Sequence, residues 1–135
     1  MGLDRSFAGR EYPAGEPYEV GREKIREFAA ALGIEGHDGL VAPPTFPIVL
    51  ALRAAERVTR EPGLGFDHTR TVHREQRFEH HRPVRAGDRL TVRVTVLDVK
   101  SIAGTDVLVT KEEIGTVTGE PVCTTVTTLI AGGGR

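Results

Sequence analysis

The stretch GLVAPPTFPIVLALRAAERV, residues 39–58, decides the fold, because it places a long apolar run in a chain that is otherwise polar and charged. Its paired prolines forbid a helix before them, and Pro47 falls in a first turn, where a missing N–H leaves no hydrogen bond unmade. With Thr45 as the N-cap, the pattern predicts a helix over residues 46–60.

The first two turns of this helix are apolar on all sides, whereas its second half carries a charged face. The surrounding structure must therefore cover the first half all round. The apolar run is far shorter than the roughly 20 residues that a membrane span requires, so no membrane partner is expected.

The remaining chain supplies one more helix and a set of strands. Residues 20–32 place Ile25, Phe28, Ala29 and Leu32 on one helical face. Further along, the apolar period changes to two, and short turns favour antiparallel pairing. The predicted strands are Thr71–Glu79, Leu90–Val96, Val107–Ile114 and Val122–Thr128.

One antiparallel sheet of five or six strands must hide the apolar helix. A flat sheet touches only one side of a helix, whereas a strongly twisted sheet curls round it, and the sheet edge of a second protomer extends the cover. The sequence thus predicts an α+β hotdog fold, a curled antiparallel sheet wrapped around a long central helix, as a single domain over residues 1–135.

Composition narrows the classes of function. The 135 residues carry a formal net charge of -1, so there is no basic excess to hold nucleic acid. The single cysteine, Cys123, excludes an internal disulfide and a cysteine-rich zinc site, and neither a metal nor a cofactor is expected. The N-terminal residues lack the apolar core of a signal peptide, which favours a cytoplasmic location.

Four segments carry a family resemblance: VGREKIREFA, GLVAPPTFPIVLAL, VHREQRFEHHRPVRAGDRLTV, and VLVTKEE with TTVTTLIAG. Together they resemble the MaoC-like hotdog dehydratases, in particular the FAS1-like N-terminal subgroup that includes the small substrate-binding subunit of actinobacterial (3R)-hydroxyacyl-ACP dehydratases. The similarity covers most of the chain. Its most specific parts are APPTF and the pattern Q-x-F-x-x-x-R-P-V-x-A-G-D, from Gln76 to Asp88.

The resemblance implies that the protein acts on or binds an acyl thioester. It does not imply that this chain has a complete catalytic centre. Catalytic members of the wider family carry an Asp and a His in a pattern like D-x-N-P-x-H, which this chain lacks. Relatives also have a longer segment after the REFA helix, so this chain has either a true deletion or a stretch missing from the sequence. His37 and Asp38, in the shortened loop, are the pair that could replace the missing dyad; the alternative is a plain loop pair.

The start of the apolar helix is a candidate contact for the substrate. Dehydration needs N–H donors for the thioester oxygen as enolate character develops. Amides in a first helical turn are free and carry the positive end of the dipole, so the turn around Thr45, Phe46 and Ile48 could polarise a carbonyl. The alternative is a turn that is merely capped by Thr45.

The strand from Thr71 offers a second candidate contact. Strict alternation puts Val72, Gln76 and Phe78 on one face and His73 on the other. Gln76 and His73 would then present an amide and a ring to an acyl tunnel, together with Phe78. A satisfied core glutamine is the alternative for Gln76.

Other polar residues are interpreted as structural. His80 and His81 are adjacent on a predicted strand and should point to opposite faces, so we do not expect them to coordinate one metal ion together. Asp88 is expected to bond nearby backbone in a turn that Gly87 permits, and Cys123 to be a small buried residue.

These features indicate a substrate-binding subunit of an (R)-3-hydroxyacyl-thioester dehydratase or enoyl hydratase, acting on acyl-ACP or acyl-CoA and dimerising with itself or with a catalytic MaoC-like subunit. Two alternatives stay open. One is a self-sufficient homodimeric enoyl-CoA hydratase, and the other is a homodimer that binds an acyl ligand for regulation without turnover.

Overall fold

A computed structural model describes residues 2–132 as a six-stranded antiparallel sheet with two α-helices. The helices are α1 (Arg22–Ala31) and α2 (Ile48–Thr59), and short 3-10 turns occupy Arg5–Phe7 and His68–Arg70. The strands are β1 (Glu11–Tyr12), β2 (Tyr18–Glu19), β3 (Thr71–His80), β4 (Arg89–Ile102), β5 (Thr105–Thr116) and β6 (Pro121–Gly132). The α+β hotdog prediction is confirmed.

The sheet runs in the order β1, β4, β5, β6, β3, and β2 also pairs with β4. The two short N-terminal strands therefore share one edge, and β3 forms the other. Neither short strand was predicted, because two residues are too few to show an alternating pattern. The four long strands appear where the period of two placed them, each extended by one to seven residues in total.

The central helix α2 packs against β4, β5 and β6. Its sheet-facing residues are fully buried, among them Ala51, Ala55 and Val58. The cover is nevertheless incomplete on the side of β3, because Ile48 and Val49 are only half-buried and Leu52 is 37% exposed. Within this chain the first turns of the helix are therefore not covered on every side, and the predicted cover by a second protomer stays a prediction.

The apolar interior falls into two clusters. One surrounds Val58 and Leu108, and the other surrounds Phe46 and Ile114. Both clusters span α2 and the concave face of the sheet, and the strip between them is polar. Among residues 2–132, no helix is long and apolar enough to cross a membrane.

Candidate functional site

A cleft of about 350 Å³ opens between α2 and the edge strand β3. Leu52 and Leu129 give it apolar walls, and its ionisable residues are Glu56, Arg60, His68 and His73, of which Glu56 and Arg60 form an ion pair at 3.2 Å. The sequence patterns had not brought these residues together, because they come from α2, a short turn and two strands. A cleft that combines apolar walls with a few polar groups suits a small ligand with an apolar part.

A β-bulge in β3 brings His73 onto the face of Gln76. Residues 73 and 75 pair with consecutive residues of β6, so Arg74 is an extra residue in the strand. His73 and Gln76 consequently lie opposite Leu129 and Thr127, two residues apart on β6. The ring Nε2 of His73 is 2.9 Å from Oε1 of Gln76. The prediction that His73 lies on the other face is wrong, because alternation breaks at the bulge.

The same bulge changes the expected position of Val72. Val72 is 59% exposed and pairs with Ile130, so it does not share the face of Gln76. Phe78 does share that face: it lies opposite Thr125, is half-buried and packs against the cluster around Phe46. Two of the three predicted tunnel residues, His73 and Gln76, thus meet at hydrogen-bond distance.

A row of polar side chains crosses the concave face from β5 to the edge strand. We call it the polar belt: Thr110, Glu112, Thr125, Thr127, Gln76 and His73. Its four members on β5 and β6 are completely buried. On β5 the belt lies between Leu108 and Ile114, which belong to the two different apolar clusters. The belt therefore divides the core.

Glu112 is the centre of the belt. Its Oε1 is 2.6 Å from the hydroxyl oxygen of Thr125 and 2.7 Å from that of Thr127, and Oε2 contacts the Thr110 hydroxyl. No ion pair to this carboxyl is formed within residues 2–132. Burial raises the pKa of Glu112, and hydrogen bonds from the three threonines oppose that rise without cancelling it.

Gln76 joins the buried centre to the cleft. Its Oε1 lies 3.0 Å from the hydroxyl oxygen of Thr127, besides its contact with His73. Its Nε2 is buried and has no hydrogen-bond partner in the described part of the chain. A buried donor without a hydrogen-bond partner costs about 1–3 kcal/mol. The hydrogen bonds that hold the amide in place are both made by its oxygen.

Sequence reasoning missed Glu112 as a functional candidate, although a signal was present. Leu108, Thr110, Glu112 and Ile114 alternate on one face of a strand, so a carboxylate was due in the core between two apolar residues. An ionisable residue at an inward strand position is uncommon enough to mark a site.

Two of the three amides that were expected to be free in the turn before α2, those of Phe46 and Ile48, are hydrogen-bonded. The Phe46 N–H donates to the carbonyl of Pro43 at 2.9 Å, and the Ile48 N–H donates to that of Thr45 at 3.1 Å. The helix begins at Ile48 with Pro47 as its N-cap and without a side-chain cap, so the prediction of a Thr45 cap is wrong. Paired prolines impose tight turns that consume these donors locally.

The three residues of that turn also have different environments. Phe46 is completely buried, with its ring edge-on to Phe28 at a centroid distance of 5.4 Å. Thr45 is exposed and Ile48 is half-buried. Phe46 is thus a core residue, and Ile48 lies on the uncovered side of α2.

His37 and Asp38 lie in the loop between the helices and bond within it. Nδ1 of His37 accepts the Gly39 N–H, and the Asp38 carboxylate accepts the Leu40 N–H, each at 2.9 Å. The ring and the carboxylate are 3.9 Å apart. His37 lines a shallow depression beside α1, which shares no residue with the cleft at β3. The structure therefore does not bring this pair to the polar belt.

The R-P-V-x-A-G-D motif forms a clasp behind the site. The two terminal guanidinium nitrogens of Arg82, Nη1 and Nη2, donate to the Asp88 carboxylate at 2.9 and 3.0 Å. The same carboxylate accepts the Arg85 N–H at 2.8 Å. The Asp88 turn with Gly87 is confirmed, including its bond to nearby backbone. The ion pair with Arg82, six residues earlier in the loop between β3 and β4, goes beyond that prediction.

The remaining structural predictions hold. Cys123 is completely buried, and His80 and His81 are exposed at the end of β3. His81 contacts the Thr124 hydroxyl, and the His80 ring stacks on Phe78.

A curled antiparallel sheet around one apolar helix, with a polar site at its free edge, defines the chain as a hotdog domain. A family model described as "FAS1-like, dehydratase domain region" matches residues 6–125, and the chain belongs to this family. The family resemblance seen in the sequence is thereby confirmed.

Curated relatives match over nearly the whole chain. A UPF0336 protein of Saccharopolyspora erythraea is 49% identical over 98% of this chain and 94% of its own length. A UPF0336 protein of Streptomyces avermitilis is 47% identical over 97% of this chain and 96% of its own. The first alignment spans 146 positions against 135 residues here, so that relative carries residues that this chain lacks.

Solved structures agree with the fold. A chain of the C-terminally truncated HadBC (3R-hydroxyacyl-ACP dehydratase) complex of Mycobacterium tuberculosis is similar with a TM-score of 0.79 and 33% identity, covering 93% of this chain and 97% of that one. A MaoC-like dehydratase is similar with a TM-score of 0.76 and 32% identity, covering 93% of this chain and 42% of that one.

Proposed function

We propose that this chain is the substrate-binding subunit of a (3R)-hydroxyacyl-thioester dehydratase, completed by a catalytic MaoC-like subunit. The observation that carries the proposal is the position of the polar belt. It ends at the free edge strand, beside a cleft with apolar walls, while the loop pair His37 and Asp38 bonds within its own loop. The polar groups proposed to bind the ligand lie at the sheet edge formed by β3. The Asp and His pattern of the wider family's catalytic members is absent from the sequence.

The uncovered surface supports a partner subunit. Along one side of the molecule, β3 is the free sheet edge and carries the exposed Val72, and Leu52 of α2 is exposed in the cleft beside it. Exposed strand edges and apolar patches are costly in water unless another chain covers them. The likeness to a chain of the HadBC complex over almost its full length favours a related subunit as the cover.

The chemistry of the cleft fits an acyl thioester. Leu52 and Leu129 would contact the acyl chain, and His73 with Gln76 would contact the oxygen atoms near the thioester. The carrier would be acyl carrier protein or coenzyme A. The partner would supply the general acid and base that dehydration requires.

Enoyl-thioester hydration tests this proposal. We expect the purified chain alone not to hydrate crotonyl-CoA, and the co-purified complex with a MaoC-like subunit to do so. Gln76→Leu should lower kcat/KM of the complex about tenfold, a loss of about 1.4 kcal/mol, since it removes the amide oxygen that holds the His73 ring at 2.9 Å. Glu75→Gln, on the outer face of the same strand, is the matched control. Full activity of the chain alone, or failure to form a complex, would overturn the proposal.

A second candidate is a self-sufficient homodimeric hydratase, and one observation favours it. Glu56, His68 and His73 line the same cleft, so a carboxylate, ion-paired with Arg60 at 3.2 Å, and an imidazole are present there without His37 or Asp38. For this enzyme, activity of the chain alone would disappear in His73→Ala or Glu56→Gln but persist in His37→Ala. Ligand binding without any activity would instead indicate an acyl-binding regulator.

A further inference from the structure

Counting protons along the polar belt constrains the state of Glu112. The hydroxyl oxygen of Thr127 lies 2.7 Å from Glu112 Oε1 and 3.0 Å from Gln76 Oε1. A threonine hydroxyl has one proton, so it can donate to only one of these two oxygens. An amide oxygen has no proton to give. With the amide oxygen of Gln76 facing Thr127, the second contact is therefore a hydrogen bond only if the Glu112 carboxyl itself carries a proton.

The surroundings of Glu112 agree with this count. It is completely buried, and its contacts are three neutral hydroxyls. An ionised carboxylate without a cation is costly in such a place, whereas a neutral acid with its hydrogen bonds made is not. Thr110 and Thr125 then donate to the carboxyl, and the carboxyl donates to Thr127.

We propose that Glu112 is a neutral acid that serves as a positioning residue for His73 through a directed chain of hydrogen bonds. The Glu112 O–H donates to Thr127, the Thr127 O–H donates to Gln76 Oε1, and that oxygen also accepts the Nε2–H of His73. The hydrogen bond from Thr127 keeps the amide oxygen, rather than the amide NH2, turned toward His73, and the neutral imidazole is thereby fixed in one tautomer, with Nδ1 as its acceptor.

This tautomer matters for the kind of ligand that the cleft takes. His73 lines the cleft, and a ring with a bare Nδ1 accepts a hydrogen bond from a hydroxyl. A 3-hydroxyacyl chain has such a donor and a 2-enoyl chain does not. Resting on the proposed function, the inference is that the belt favours the hydroxylated substrate.

The test uses the chain alone and needs neither partner nor substrate, so its failure is separate from failure of the proposed function. Long-range proton–nitrogen spectra of ¹⁵N-histidine protein at pH 8.5 show which ring nitrogen carries the proton, with His73→Asn identifying the signals. Carboxyl ¹³C shifts of labelled glutamate show whether Glu112 is neutral at pH 7, with Glu112→Gln identifying that signal.

Three buried positions give matched variants. Thr127→Val breaks the series of hydrogen bonds between Glu112 and Gln76. Thr110→Val is the same substitution on the other side of the carboxyl and leaves that series intact. We expect one His73 tautomer in the wild type and in Thr110→Val, and a mixture of both in Thr127→Val. Glu112→Gln, whose amide can still donate to Thr127, should keep the single tautomer.

Two results would overturn the inference. One is an ionised Glu112 at pH 7, which the unmodified protein shows, without any variant, if none of its glutamate carboxyl signals is that of a neutral acid at that pH. The other is a His73 ring protonated on Nδ1, or a Thr127→Val protein whose tautomer population equals that of Thr110→Val.

Discussion

Replacing Asp88 by asparagine tests the clasp that ties the site to the rest of the fold. The change keeps the size of the side chain but removes the negative charge of the carboxylate to which two Arg82 nitrogens donate. Around this pair, backbone bonds tie the turn to two other segments: Val20 donates to the Asp88 carbonyl, and Ala86 donates to that of Leu40. A weaker clasp should therefore loosen the loop that leads into α2.

The magnitude follows from burial and geometry. The Arg82 and Asp88 side chains are 17% and 16% exposed, so the pair is not a solvated surface bridge worth at most about 1 kcal/mol. Breaking a fully buried pair costs about 3–5 kcal/mol. Asparagine keeps one acceptor, and Glu120 still faces Arg82 at 3.2 Å, so we expect a loss of about 2–3 kcal/mol. For a domain of this size that lowers Tm by about 10 °C.

Urea unfolding in a double-mutant cycle with Arg82→Met measures the coupling energy directly. We expect a coupling above about 1.5 kcal/mol, since two charge-assisted hydrogen bonds are lost together. Asp98→Asn is the matched control: its partner Lys100 is 3.4 Å away, but both side chains are nearly half exposed, so the stability should change by under about 0.5 kcal/mol. A coupling energy no larger than that of the control pair would refute the reasoning.

The pH dependence gives a second check on the same pair. Burial raises the pKa of Asp88, but hydrogen bonds from Arg82 and from the Arg85 N–H outweigh it, so the folded pKa lies below the ordinary value. The unfolded state then takes up its proton first, near the ordinary Asp value of about 3.9. The stability gained from the pair is thus present above that pH and is lost as pH falls through the folded pKa. Wild type and Asp88→Asn should converge in acid.

Three further outcomes are expected. Because the folded pKa of Glu112 is raised, the wild type should lose stability relative to Glu112→Gln as pH rises from the ordinary glutamate value of about 4.3 through the folded pKa, measured by urea midpoints from pH 4 to 8. Gly39→Ala should cost at least about 2 kcal/mol more than Gly36→Ala in thermal unfolding: both have positive φ, but a Cβ at Gly39 would lie 2.7 Å from the Arg22 carbonyl oxygen, whereas Gly36 faces open space. Burial raises the pKa of the Cys123 thiol to about 11, so iodoacetamide at pH 8 should label it in urea but not in the native protein, and rapid native labelling would contradict its burial.

Much of the fold was determined by local sequence patterns. The apolar run after the paired prolines fixed a central helix, and the change of period from 3.6 to two fixed the four long strands. The need to cover an apolar helix with one sheet then left a curled sheet as the answer. These inferences succeeded because periodicity depends only on neighbours along the chain.

Only the tertiary structure decided the site. The bulge at Arg74 moved His73 to the face of Gln76, and the register of β5 against β6 brought two threonines, Thr125 and Thr127, to Glu112. The uncovered side of α2 likewise came from the order of strands, which leaves β3 at an edge. Such contacts join residues up to about fifty positions apart, as Gln76 and Thr127 show. A single-residue shift in pairing would reverse which face each side chain occupies, and no local pattern sets that register.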